Sequence, residues 1–362
     1  MSFWHGRRVF VTGHTGFKGS WLSLYLSQMG ALICGYALAP SGRQDLYCVA
    51  QVDGVVQSHL GDICDLQSLQ EAVSAHRPEI IFHLAAQPLV RTSYGDPIET
   101  YRVNVMGTLN LLEAARRCNS VRAMIMVTTD KCYENKEWTW AYRENDRLGG
   151  HDPYSSSKAC AELAVASWRK SFFPSERYGE HGVAIATVRA GNVIGGGDWS
   201  ADRLVPDVIR CLTEGRKPIL RNPEAIRPWQ YVLDPLRGYL LLAERLFKDG
   251  GAYGSAFNFG PEYRDAKSAS WIARRISELW GASTEITIDQ SAQPHEANTL
   301  RLDWSKAATM LGWNPLLTLD EALERTVAWY WNWHRGIGMA EHALMEIDRF
   351  RDQAESFVGE TK

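Results

Sequence analysis

No cysteine of this chain falls in a C-x-x-C pair. The seven cysteines, at 34, 48, 64, 118, 132, 160 and 211, are scattered and odd in number. That pattern supports neither a disulfide framework nor a zinc site, and no metal is expected. An excess of charge of either sign is also missing, with 39 Lys and Arg against 42 Asp and Glu. With a formal net charge of -3, nothing points to nucleic acid or an anionic membrane as a partner. No apolar run approaches the ~18 residues of a membrane span, and there is no internal repeat or low-complexity tract. Only MSFWHG precedes the first expected strand, which leaves no room for a secretory leader, so a cytoplasmic location is expected. What remains is an ordinary globular composition, 362 residues with 45% hydrophobic and 22% charged, enough for two lobes with sizeable cores.

The N-terminal half alternates strand and helix. Residues 8–12 (RVFVT) read as a short buried strand, followed by GHTGFKG and an apolar helix over about 20–29. Gly13, Gly16 and Gly19 then form G-x-x-G-x-x-G between strand and helix, where backbone N–H groups and a helix N-terminus can approach a pyrophosphate. Further strands are expected at 31–37, 55–60 and 80–84, which predicts an α/β fold with a Rossmann-type doubly wound parallel sheet. The acidic residue of the NAD fingerprint is missing after the second strand. The segment reads GYALAPSGR, and Arg43 would suit the 2'-phosphate of NADP, so these residues leave the cofactor open. Asp62 is placed either to accept from an adenine amino group or simply as a loop residue, while Asp65 is expected to cap the next helix. Ala85 and Ala86 of HLAAQ would let a dinucleotide pass close to the strand end, and His83 is assigned to the sheet. Asp96 and Pro97 open a helix running to about 118, in which Asn104 stands on an otherwise buried stretch and needs partners.

Two clusters carry the candidate chemistry. A strand over 121–127 stops abruptly at Thr128, Thr129, Asp130 and Lys131, and ligands of open α/β sheets collect at such strand ends. Then DPYSSSKA opens a helix to about 171, with Tyr154 and Lys158 four residues apart on one face. A phenol has a reference pKa of roughly 10, and a nearby ammonium favours the phenolate, so the pair is a usable base. Between the clusters, residues 132–152 hold Trp138, Trp140 and Tyr142, which suit an active-site wall or a surface insertion equally.

A strand over 183–189 precedes AGNVIGGGDW, whose glycine run suits a loop between cofactor and substrate. Beyond it the simple alternation ends. Helices are expected at 204–214, from Asp234-Pro235 through 246, at 268–280 and at 319–334, the last opened by a capping box of Thr318 and Glu321. Strands are expected at 256–259 and 285–288. Trp329 and Trp333 share one helical face and Trp331 another, which reads as packing on two sides. An amphipathic helix is expected over 338–357.

Taken together, GHTGFKG, HLAAQ, TTDKCY, the Tyr154/Lys158 pair, AGNVIGGGDW, RPWQYVLD and LGWNP resemble the extended short-chain dehydrogenase/reductases that act on nucleotide sugars, over nearly the whole chain. Within that family the 4,6-dehydratases are the nearest match. The resemblance implies a Rossmann domain (1–193 plus 228–262) and a smaller mixed α/β lobe for the nucleotide sugar (194–227 plus 263–362). It implies a tightly held NAD and CDP-glucose as the substrate, in dideoxysugar and O-antigen biosynthesis. It also implies roles: Tyr154 as base at the sugar 4-hydroxyl, Lys158 on the nicotinamide ribose, and Thr129 hydrogen-bonded to the same hydroxyl. Asp130 would be the acid at the departing 6-hydroxyl and Lys131 the base at carbon 5. Gly13, Thr15, Gly16, Phe17, Lys18, Gly19, Asp62, Ile63, Leu84, Ala85, Ala86, Gln87, Asn104 and Thr128, with Tyr154 and Lys158, would surround the cofactor. Gln87, Thr129, Asn192, Arg203, Leu204, Arg221, Arg227 and His295 would contact the substrate. One departure stands out, since the dTDP-glucose dehydratases carry Thr-Asp-Glu where this chain has Thr-Asp-Lys. Alternatives inside the family are a UDP-N-acetylhexosamine 4,6-dehydratase or a 4-epimerase, although an epimerase has no elimination for Asp130 and Lys131 to catalyse. Outside it stands a scaffold without turnover, which the retained Tyr154 and Lys158 disfavour. The resemblance further implies a homodimer, or a tetramer, through the helices at 97–118 and 154–171, where Ala159, Cys160, Ala161 and Ala164 would allow close approach.

Overall fold

The computed structural model describes residues 2–291 and 299–360. Short strands separated by helices form one parallel sheet, whose inner strands are apolar and buried on both faces and so need a helical layer on each side. The strands are β1 (Arg8–Thr12), β2 (Leu32–Ala37), β3 (Gln57–Leu60), β4 (Ile80–His83), β5 (Ala123–Val127) and β6 (Ala184–Ala190). After β7 (Asn192–Ile194), β8 (Ile219–Leu220) and β9 (Ile226–Tyr231), the strand β10 (Ala256–Phe259) returns to the same sheet. The sheet order is β10-β6-β5-β4-β1-β2-β3, with every pairing parallel. The order reverses between β1 and β4, the switch point where an α/β sheet opens a crevice. Two smaller sheets complete the strands: β11 (Ala266–Ser268) with β9 and β7, and β12 (Thr287–Ile288) with β8.

Most expected elements are present, with ends moved by one to three residues. The helix expected over 97–118 is interrupted: Pro97–Tyr101 passes through a π-helical turn, Arg102–Met106, into Gly107–Arg116. Such π turns concentrate at functional sites, and this one carries Asn104. The capping box of Thr318 and Glu321 forms as expected on helix Leu319–His334. Its tryptophans do pack on two sides, Trp333 on Trp199 with centroids 4.6 Å apart and Trp331 on Trp280 at 4.8 Å. Trp329, fully buried, explains Gly196, where a Cβ would run into the indole. The central glycine of that run thus answers to packing against the C-terminal half.

Asp234, at the start of helix Leu233–Asp249, ties that helix to the segment over 313–317. Its carboxylate accepts from the backbone N–H of Leu316 at 2.8 Å and of Leu317 at 3.4 Å, and its carbonyl accepts from the Trp313 indole at 3.0 Å. Burial pushes its pKa up to about 7. Replacing Asp234 by Ala strands the buried Leu317 N–H and the half-buried Leu316 N–H, so a loss of about 2–4 kcal/mol is expected in chemical unfolding, with Asp234→Asn costing roughly half as much. An Ala variant with an unchanged unfolding midpoint would show that the turn is held by other contacts.

Among the described residues, no helix is long and apolar enough to cross a membrane. All seven cysteines are free thiols.

Candidate active site

At the switch point the strand ends enclose a cavity of about 680 Å³. The turn after β1 forms its floor. Gly13 has φ +75°, and a Cβ there would come within 2.7 Å of the Ala85 amide nitrogen; at Gly19 a Cβ would run into the Gly13 carbonyl oxygen. Glycine is therefore required for the turn to pass under β4 and lead into helix Phe17–Gln28. The result is a groove walled by backbone and ending at a helix N-terminus, a shape and polarity that fit a dinucleotide pyrophosphate. Thr15, Gly16, Phe17, Lys18, Asp62, Ile63, Leu84, Ala85 and Ala86 all line the same cavity.

Asp62 faces this space with its carboxylate already engaged, by the Cys64 N–H at 2.9 Å and by Arg102 at 3.0 Å. Asp65 caps its helix as expected, accepting from Ser68 N–H. Behind β2 the lining is Ala37, Leu38, Ala39 and Ser41, and Arg43 is not part of it. Gln87 and Asn104 lie behind the wall. The Asn104 carbonyl oxygen accepts from the Gln87 N–H at 2.9 Å, and its amide donates to Gln87 O at 3.1 Å and to Ser157 Oγ at 2.9 Å. The Gln87 side chain is bound to Leu89 and Thr100. Asn104 thus reaches the turn that carries Tyr154 and Lys158, and these two amides shape the site without facing it.

The reactive groups converge where β5 ends. Val127, Thr128, Thr129, Asp130 and Lys131 share the lining with Tyr154 and Lys158. Helix Pro153–Phe172 is aimed by its first turn: Asp152 accepts from the Ser155 N–H at 2.9 Å, Pro153 fits the first helical position, and the Tyr154 N–H donates to Ser93 Oγ at 3.1 Å. Burial pushes the Tyr154 phenol up to about 12, opposed by the Thr129 hydroxyl and the Arg203 charge. The cation that favours the phenolate in the protein alone is therefore Arg203, where the spacing in sequence suggested Lys158. Lys158 instead meets the Val127 carbonyl at 3.4 Å, and burial lowers its pKa to about 8 against the pull of Glu162. Thr129 Oγ1 donates to Asp130 Oδ1 at 2.9 Å. Asp130 Oδ2 is buried with no hydrogen-bond partner.

Asn192, Arg203, Leu204, Arg221 and Arg227 line the opposite wall, while His295 lies outside the described residues. Arg203 is held by the buried Asp198 at 2.8 Å, and Arg221 pairs with Asp202. Asp198 escaped the sequence reading because nothing local marks an acid in a glycine loop as buried. Trp138, Trp140 and Tyr142 do not line the cavity; Trp138 and Trp140 are exposed, so the segment after β5 is a surface insertion at that point.

A parallel sheet with a glycine turn, a Tyr-x-x-x-Lys helix and a threonine at the neighbouring strand end defines the class, an extended short-chain dehydrogenase/reductase. The family model described as GDP-mannose 4,6 dehydratase matches residues 10–326, and the chain belongs to that family. It is 50% identical over 349 residues to the CDP-glucose 4,6-dehydratase of Salmonella typhimurium, covering 96% of this chain and 97% of the relative. Among solved structures it is similar to a UDP-glucose 4-epimerase of Thermotoga maritima, with TM-score 0.77, 23% identity, and 90% and 98% of the two chains covered. It is also similar to a dTDP-glucose 4,6-dehydratase of Bacillus anthracis solved in complex with NAD, with TM-score 0.75, 22% identity, and 92% and 99% covered. At these identities the structures speak for the fold.

Proposed function

We propose that this protein is an NAD-dependent CDP-D-glucose 4,6-dehydratase, releasing CDP-4-keto-6-deoxy-D-glucose and water. The observation that carries this reading is that Asp130 and Lys131 share one cavity with Tyr154, Thr129 and Lys158. An epimerase needs only the tyrosine, whereas removing water across carbons 5 and 6 needs a base and an acid besides. The nucleotide follows from the Salmonella relative, whose name is CDP-glucose 4,6-dehydratase and which matches over nearly all of both chains. The glycine groove supports a dinucleotide, and the Bacillus structure of the same fold holds NAD. When bound, NAD takes up hydride from carbon 4 of the sugar and gives it back at carbon 6, leaving no net redox change.

The chain's own residues do the rest. Tyr154 takes the proton of the 4-hydroxyl while Thr129 holds that oxygen. The resulting 4-keto group acidifies carbon 5, whose proton passes to Lys131 and returns from it to carbon 5 once hydride has been delivered to carbon 6. Asp130 acts as the general acid at the departing 6-hydroxyl. Lys158 supplies fixed positive charge, and Asn192, Arg203, Arg221 and Arg227 form the polar wall for the nucleotide diphosphate. The exposed Ile98, Met106, Leu163 and Phe172, on the two helices expected to pair, suit a homodimer. Ala159 and Ala161 face inward and are buried within the single chain, so they cannot serve that contact.

The test is incubation with NAD and, separately, CDP-glucose, dTDP-glucose, UDP-glucose and UDP-N-acetylglucosamine, following the alkali-induced absorbance of a 4-keto sugar and the mass loss of one water. Turnover of CDP-glucose alone is expected. A product from another nucleotide sugar alone would replace the substrate and keep the mechanism, and no product from any would sink the dehydratase reading.

A further inference from the structure

Lys158 has a buried neighbour with no part in the chemistry so far. Glu162 follows it by one helical turn on the same face and is 4% exposed. One carboxylate oxygen accepts from Thr128 Oγ1 at 2.5 Å and Arg189 Nε at 3.0 Å. The other accepts from Thr187 Oγ1 at 2.8 Å and Arg189 Nη2 at 2.8 Å. Arg189 continues to the Tyr133 hydroxyl at 2.8 Å and the Glu144 carbonyl at 3.1 Å, and Tyr133 donates to Asn258 Oδ1 at 2.7 Å. The network therefore joins the Tyr154/Lys158 helix to β5, β6, β10 and the insertion, with each carboxylate oxygen of Glu162 doubly satisfied.

A buried ion pair adds little stability over an apolar pair of the same volume, so its placement matters more than its strength. Thr128, which it grips, lies between Val127, whose carbonyl meets Lys158, and Thr129. The charged and titratable groups around Glu162 are Lys158 and Arg169 of its own helix, Arg189 of β6, and Cys132 of the segment after β5. Tyr133, Glu144 and Lys306 border Arg189, and Lys18 and His83 face Lys158 from the first helix and β4.

We infer that Glu162 is a positioning residue for the reaction proposed above: through Thr128 it fixes the end of β5, and with it the Val127 carbonyl that receives Lys158 and the neighbouring Thr129. The inference rests on that reading only for the role of Lys158. Burial lowers the Lys158 pKa, and Glu162 is the leading influence that raises it. Without that carboxylate the ammonium gives up its proton at a lower pH, and the alkaline limb of the rate profile moves down with it.

Glu162→Gln alone leaves Arg189 buried without a partner, so the double variant Glu162→Gln/Arg189→Met, which removes both charges, is made beside it. Two quantities are read for each: the pH at which Lys158 becomes reactive toward an amine-acylating reagent, by peptide mass spectrometry, and the pH profiles of kcat and KM. The Lys158 midpoint is expected to fall by about one pH unit or more in the double variant. The alkaline limb of kcat should follow it, while KM changes by less than about threefold. Glu162→Asp should recover part of the shift. A double variant with the parent's midpoint overturns the inference, and so does one that cannot fold, since the network would then serve the fold alone. Labelling of Lys158 needs no turnover, so failure of CDP-glucose to react would condemn the proposed function while leaving this result readable.

Discussion

Tyr154→Phe is expected to lose about 10³-fold in kcat, within the range for removal of a general base, with no change in unfolding midpoint. The substitution deletes one hydroxyl and keeps the ring. The backbone features that aim the residue, the Asp152 cap and the bond from its N–H to Ser93, are untouched. What is lost is the group that takes the sugar hydroxyl proton in the proposed mechanism. Because burial holds the phenol up at about 12, it is protonated at neutral pH in the protein alone, and positive charge must arrive before it can act. The parent rate should therefore rise with pH on the acid side as Tyr154 gives up its proton in the loaded site. It should fall again as Lys158, lowered to about 8 by burial, loses its charge. In Tyr154→Phe the rising limb should vanish. A variant retaining more than about a tenth of the parent rate would remove Tyr154 from the role of base.

The parts of this site legible in the sequence are those whose chemistry is local. Gly13 and Gly19 advertise a turn that only glycine can make, Asp152-Pro153 announces a helix start, and Tyr154 and Lys158 share a face because of helical spacing. The run from Thr128 to Lys131 could be placed at a strand end because apolar residues stop there. What the pattern could not reveal is long-range. Glu162 reads as one more polar residue on a helix, and only the parallel pairing of β5 with β6 brings Thr128, Thr187 and Arg189 onto it. Asp198 depends likewise on the path of the glycine loop beneath Trp329. Asn104 was recognisable as buried, but not as tied to Ser157. Trp138 and Trp140 suit a wall or a surface insertion equally in the sequence, and only the path of the loop, which leaves both exposed, decides for the insertion. The cation nearest in effect to Tyr154, Arg203, lies 49 positions further along the chain, and no local spacing rule connects the two.

Asp130→Asn and Lys131→Met should stop the reaction at different bonds, which makes them the most informative pair. Asp130 is almost wholly buried, with one oxygen bound to Thr129 and the other without a partner. Asparagine keeps the first contact and cannot deliver a proton. Water loss should fall by roughly 10²–10⁴-fold, while oxidation at carbon 4 continues. Carbon 5 should still exchange its hydrogen with deuterated solvent, because Lys131 remains. In Lys131→Met, oxidation at carbon 4 should again survive, but exchange at carbon 5 should cease along with water loss. Mass spectrometry of the bound sugar in deuterated water separates the outcomes: a 4-keto sugar carrying deuterium from the first variant, and one without it from the second. If Lys131→Met eliminates water at the parent rate, another group is the base. If Asp130→Asn does so, the partnerless carboxylate oxygen has some other purpose. Either result would leave the tyrosine chemistry standing, because oxidation at carbon 4 draws on Tyr154, Thr129 and Lys158 and on neither of the residues replaced.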